Sequence, residues 1–217
     1  MLLMLDLFST LCFAFVGASI ALRLQMKLIT VAISAVLPAM GGGTVREIIL
    51  GSDTFFWITT PSYLLAILMA LVIAVSLGRL KSLPKLISQM MDSLGTCVFT
   101  VVGVLAAIES GCSPFVVILL GMLTGIGGGL IREILFDRDA LLQSAPRIVL
   151  AASVALLGST LILFNADVIG TILLLALLHF GVAEIQCRKA GRKRDGHANM
   201  KLVKRYCRNL NTVDIVL

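Results

Sequence analysis

Along this chain apolar positions neither alternate with polar ones nor recur every third or fourth residue. They run on for about 20 residues at a time, the length a helix needs to cross the hydrocarbon layer of a bilayer. Seven such runs occur, at roughly 5–22, 28–50, 61–78, 91–109, 114–136, 146–164 and 168–186. Barrel strands would instead alternate inward and outward residues over about 10 positions. The pattern predicts an all-α membrane protein of seven transmembrane helices.

Composition agrees. Hydrophobic residues make up 59% of the 217 and charged ones 14%, with a mean hydropathy of +1.04; soluble chains carry about 45–50% and about 25%. In the first span Asp6 precedes the apolar run and Arg23 and Lys27 follow it, the reverse of a secretory signal, so that span is expected to remain as a helix. Residues 1–187 read as a single transmembrane domain and 188–217 as a basic cytoplasmic tail. Cys12, Cys97, Cys112, Cys187 and Cys207 have no metal-ligand spacing and read as packing residues or inert thiols. No cofactor and no metal is expected.

The net charge of +6 would suit nucleic acid, but its placement argues against that partner. Sixteen of the 18 basic residues lie in alternate connections and in the tail: Arg23 and Lys27; Arg79, Lys81 and Lys85; Arg138 and Arg147; and nine from Arg188 to Arg208. The positive-inside rule makes that side the cytoplasm, with the N-terminus outside and the C-terminus inside, in the plasma (inner) membrane as a multi-pass protein. The tail is expected to rest in cytoplasm or on anionic headgroups, each basic residue near the surface contributing about 1 kcal/mol. Only Arg46 and Arg132 stand apart from this distribution.

Those two residues belong to an internal duplication. An offset of 86 places Asp6 on Asp92, Thr10 on Thr96, Phe13 on Phe99 and Gly17 on Gly103, and in the same register "GGGTVRE" (Gly41 to Glu47) on "GGGLIRE" (Gly127 to Glu133). Repeat 1 covers about 5–80, repeat 2 about 91–165, and the helix near 168–186 stands outside the duplication. Three spans per repeat is an odd number, so the second enters the membrane from the opposite face. Inverted repeats of this kind build transport sites where discontinuous helices meet near the midplane.

Three consecutive glycines in a helix interior, each costing up to about 1 kcal/mol relative to alanine, predict a kink or unwound segment at Gly41, Gly42 and Gly43 and at Gly127, Gly128 and Gly129. Pro38 adds a missing donor just before the first. Broken backbone at that depth requires a cavity or protein partners, so a cavity is expected there. The alternative is that the triplets are notches for close helix packing. A phosphate-cradling loop is excluded, since neither its strand nor its lysine is present.

An arginine within a span faces the bundle interior or water and pairs with an acid or with carbonyls. By depth, Arg46 is expected to pair with Asp6 towards the outer face and Arg132 with Asp92 towards the cytoplasm, with Glu47 and Glu133 as local alternatives. Such pairs either anchor helix ends or gate a conduit. Half-helix dipoles at the triplets offer positive and negative ends alike, so charge arithmetic favours neither sign of permeant ion.

With these motifs the chain resembles the prokaryotic branch of the TRIC family, the trimeric intracellular cation channels. The likeness covers nearly all of residues 1–187 and rests on "LDLFSTLCFAFVGA", its repeat "MDSLGTCVFTVVGV", and the paired triplet motifs. The family pattern ends in aspartate where this chain has Glu47 and Glu133. The resemblance implies a symmetric homotrimer with a separate potassium-permeable pore in each subunit, the second and fifth spans kinked at the triplets, and Arg46 and Arg132 lining or closing the path. A secondary transporter for a small solute and a non-transporting scaffold are the competing classes. An enzyme is not expected, because the spans hold no nucleophile and base; His179, alone in the seventh span beside Glu184, reads as a helix-to-helix hydrogen-bond donor.

Overall fold

Left-handed residues and short polar turns set where the helices end. In the computed structural model, described over residues 2–52, 54–80 and 85–136 and at separate positions between 149 and 181, all regular structure among the described residues is helical. The elements are α1 (Leu2–Arg23), α2 (Leu28–Leu50), a single turn α3 (Phe56–Thr59), α4 (Ser62–Leu80), α5 (Lys85–Glu109) and α6 (Pro114–Phe136). Four of them, α1, α2, α5 from Ile87 and α6, are long and apolar enough to cross a membrane, and α4 carries a shorter apolar run, Ser62–Gly78. The sixth and seventh spans fall largely outside the described residues, and the tail, His179 and Glu184 wholly so.

α1 and α5 form the centre. α1 is buried without a break from Cys12 to Ser19, and Phe13 stacks on Phe99 of α5 with ring centroids 5.2 Å apart. α2 and α4 pack on α1, and α6 packs on α5 and α2. Arg23 at the end of α1 donates to the Ser88 hydroxyl near the start of α5 at 2.9 Å, so the two central helices run antiparallel. The outward faces are as apolar as the interior: Leu64, Leu65, Leu68, Met69 and Val72 of α4 are each more than half exposed. In water such a belt would drive aggregation; in a bilayer it meets chains as apolar as itself.

Equivalent positions make equivalent contacts. α1 ends where Gln25 takes φ 54 and α5 ends where Gly111 takes φ 69. The flanking bonds match, Met26 N to Ala21 O and Cys112 N to Ala107 O, both 3.1 Å. Near the middle of α2, Pro38 cannot donate to the carbonyl of Ser34. Gly17 of α1 lies so close to that carbonyl oxygen that a methyl group on it would collide. At the equivalent place the Thr124 hydroxyl donates to Leu120 O at 2.7 Å, and a methyl on Gly103 would lie 3.0 Å from the same oxygen.

Candidate functional site

α2 meets α6 at the glycine triplets. A Cβ on Gly42 would strike the carbonyl oxygen of Thr124, one on Gly128 would lie 2.7 Å from that of Pro38, and one on Gly127 would lie 3.1 Å from the Cα of Gly42. The two helices therefore cross backbone to backbone, an approach that only residues without a side chain permit. Of the kink or unwound segment expected at the triplets, the unwound form is not the one α2 and α6 adopt. Helix continues through 28–50 and 114–136, and Gly42 and Gly128, the middle residue of each triplet, are buried against the facing helix. Tertiary packing shields the backbone that glycine leaves bare, which offsets its poor helix propensity.

On either side of this crossing sits an arginine with an aspartate. Arg46 of α2 makes a fork to Asp6 of α1, Nη2 to Oδ2 at 2.9 Å and Nη1 to Oδ1 at 3.5 Å, with side chains only 5% and 3% exposed. Arg132 of α6 forks in the same way to Asp92 of α5, its Nη2 donating to Oδ2 at 3.0 Å and its Nη1 to Oδ1. There the aspartate side chain is 26% exposed. Planar two-point pairing is the strongest form of such a contact, and burial makes it hard to break one member away. Asp6 and Arg23 are 17 residues apart on α1, roughly 25 Å at about 1.5 Å per residue. Arg23 is tied to Ser88, one turn before Asp92, so the two pairs lie at opposite ends of the bundle.

The Asp6 end carries more than the sequence indicated. The Tyr63 hydroxyl donates to Asp6 Oδ2 at 2.9 Å. Phe56 packs edge-on against Tyr63 at 4.5 Å, with its ring centroid 6.0 Å from the guanidinium carbon of Arg46. Arg46 forks to Asp6 and not to Glu47, whose Oε2 accepts the backbone N–H of Phe56 at 2.8 Å, holding the first residue of α3. The signals for these residues were an aromatic cluster, "FFW", in the connection that follows α2 and a tyrosine two residues after the proline that opens the third span. Glu133 is half-buried beside Arg132. Among the described residues, no cluster of His, Cys, Asp and Glu is placed to hold a metal.

A sequence model of the family described as "Glycine transporter" matches this chain in two segments, residues 3–79 and 89–167. The chain belongs to that family. The segments begin 86 residues apart, the offset that joins the two triplet motifs. Relatives include the UPF0126 inner membrane protein YadS of Escherichia coli K12, 33% identical over 132 residues that cover 60% of this chain and 64% of YadS. A UPF0126 membrane protein of Deinococcus radiodurans is 33% identical over 182 residues, covering 80% and 84%. The match thus spans a little under two thirds of YadS and most of the Deinococcus protein. Among solved structures the fold is similar to that of the TRIC trimeric intracellular cation channel orthologue from Rhodobacter sphaeroides, with a TM-score of 0.70 at 26% identity over 88% of this chain and 96% of that one. A further prokaryotic TRIC channel shares the fold at a TM-score of 0.69 and 19% identity, over 87% and 96%. With relatives named as inner membrane proteins and apolar helices of spanning length, this is a multi-pass protein of the plasma membrane.

Proposed function

We propose that this chain is a gated channel for small monovalent cations, potassium or sodium, with a path inside each subunit between α2 and α6. The carrying observation is the close-packed glycine crossing flanked at opposite ends by two Asp–Arg forks, the Asp6–Arg46 fork buried and the Asp92–Arg132 fork partly exposed at its aspartate. The solved neighbours, which are channels and not enzymes, support a cation channel. The reading takes the two halves as inverted repeats completed by a seventh helix. It places the N-terminus and Arg46 outside, and the C-terminus and Arg132 towards the cytoplasm, following the one-sided distribution of basic residues.

Arginine stays charged at every ordinary pH, so each gate opens by displacement and not by deprotonation. While forked to its aspartate, the guanidinium occupies the path and neutralises the carboxylate. When it swings aside, the carboxylate is freed to meet a passing cation. The triplets Gly41 to Gly43 and Gly127 to Gly129 are the hinges: helix persists there only through packing, so bending at those points separates the strongly crossed segments. Glu47 and Glu133 lie on the approaches. The Rhodobacter neighbour is a trimeric channel, and the same assembly is proposed here as a homotrimer, with anionic headgroups against the basic tail.

A second reading is a carrier for glycine, favoured by the family description and its match to both halves. A pair of gates around a closed centre also serves alternating access. Reconstitution into liposomes and planar bilayers separates the two. Discrete current steps that reverse near the potassium potential under opposed potassium and chloride gradients support the channel. Saturable glycine counterflow without current steps transfers the conclusion to the carrier, and absence of both fluxes leaves a scaffold.

A further inference from the structure

The two gates are built from equivalent residues but are not equally held. At the Asp6 end the notch left by Gly43 is filled: a Cβ on that glycine would lie 2.7 Å from Cε1 of Phe56. Phe56 thereby seats in α2, flanks Arg46, meets Tyr63 edge-on and is fastened by its own N–H to Glu47. Tyr63 completes the enclosure by donating to Asp6. At the equivalent notch, Gly129, the nearest atom among the described residues is Nη2 of Arg132, at 3.9 Å. The stretch that follows, Asp137 to Leu163, contains no aromatic residue at all, so repeat 2 has no side chain in that segment with which to build the same seat. The exposures of the two pairs follow suit: 5% and 3% for Arg46 and Asp6 against 10% and 26% for Arg132 and Asp92.

We propose that Phe56, with Tyr63, is a latch on the Asp6–Arg46 gate, so that this gate opens less readily than the Asp92–Arg132 gate and sets the rate of permeation. The inference rests on the gated-conduit reading above. An aromatic ring face attracts the guanidinium, and a ring wedged into the glycine notch blocks the inward swing that would part Arg46 from Asp6. The phenol fixes the carboxylate from the other side. Phe56 and Tyr63 are positioning residues: they act through Arg46 and Asp6 and need not touch the permeant solute.

Sided thiol accessibility in the full-length protein tests this. Thr44 and Leu130 are half-buried, lie between triplet and arginine in α2 and α6, and are related by the offset of 86. In liposomes, with the five native cysteines replaced by alanine, Thr44→Cys and Leu130→Cys serve as separate reporters for an impermeant thiol reagent applied from one face or the other. Phe56→Ala and Tyr63→Phe are each expected to raise the reaction rate of the Thr44→Cys reporter from the Asp6 side at least tenfold. The Leu130→Cys reporter should stay unchanged from its own side. Ile58→Ala, which alters an exposed side chain of the same turn, should change neither. Tyr63→Phe removes only an oxygen, so it remains informative if Phe56→Ala fails to fold. An unchanged Thr44→Cys rate in Tyr63→Phe, an equal rise at both reporters, or an equal effect of Ile58→Ala overturns the latch. Cation flux measured on the same vesicles keeps the two proposals apart: a selective rise in reactivity without any potassium current retains the latch and removes the channel, and potassium current without selective reactivity does the reverse.

Discussion

At the scale of single residues, the molecule is governed by two fixed positive charges that must be answered within a low-dielectric interior. Removing one member of a buried pair while leaving the other costs about 3–5 kcal/mol. Asp6→Asn is therefore expected to lower the detergent-solubilised melting temperature more than Asp92→Asn, because the Asp92 side chain keeps about a quarter of its surface open to water. Thermal unfolding followed by circular dichroism checks the ordering, and equal shifts would contradict it. The exchange Asp92→Arg with Arg132→Asp is expected to recover folding and flux lost in either single variant. Recovery of neither would show that the fork is not what those residues contribute. The arginines and their aspartates were legible in the sequence because depth in a span is counted from its ends and the repeat offset supplies each residue with a counterpart. Phe56 and Tyr63 were not: a single-turn helix is too short to show a period, and the seat of Phe56 against Gly43 exists only once α3 folds back on α2.

At the scale of elements, helix ends and crossings decide which glycines matter. A methyl at Gly42 or Gly128 would press on a backbone carbonyl that belongs to the facing helix, so Gly42→Ala and Gly128→Ala are each expected to cost about 1–3 kcal/mol, the usual range for overpacking. Gly129→Ala, with only the end of Arg132 near it among the described residues, should cost the least of the three. Urea or thermal unfolding in detergent orders them, and a Gly129→Ala variant as damaged as Gly128→Ala would overturn that ordering. The spans α1, α2, α5 and α6 were readable from run length alone. Their continuity through the triplets was not, because glycine propensity is a local quantity of about 1 kcal/mol per residue and the packing that overrides it comes from a segment 86 positions away. The start of α5 at Lys85, a turn and a half before the apolar run, was likewise hidden, since run length does not mark a polar stretch such as the one in which Ser88 accepts from Arg23.

At the scale of the whole molecule, an apolar belt on α2, α4 and α6 surrounds a centre made by α1 and α5. Three subunits are expected around such a bundle, each with its own path, and native mass spectrometry or light scattering in detergent should give three times the mass of the 23.2 kDa chain. A monomer across a range of detergents would contradict the proposed assembly. The central claim is that the α2–α6 crossing is a cation path closed by its Asp–Arg forks. It is tested most directly by single-channel recording of the full chain in planar bilayers under a potassium chloride gradient, with wild type and Arg46→Gln compared in the same lipid. The expected result is discrete steps in both, reversing near the potassium potential, with a higher open probability in Arg46→Gln. No steps in either protein, accompanied by saturable glycine counterflow in matched liposomes, would contradict it.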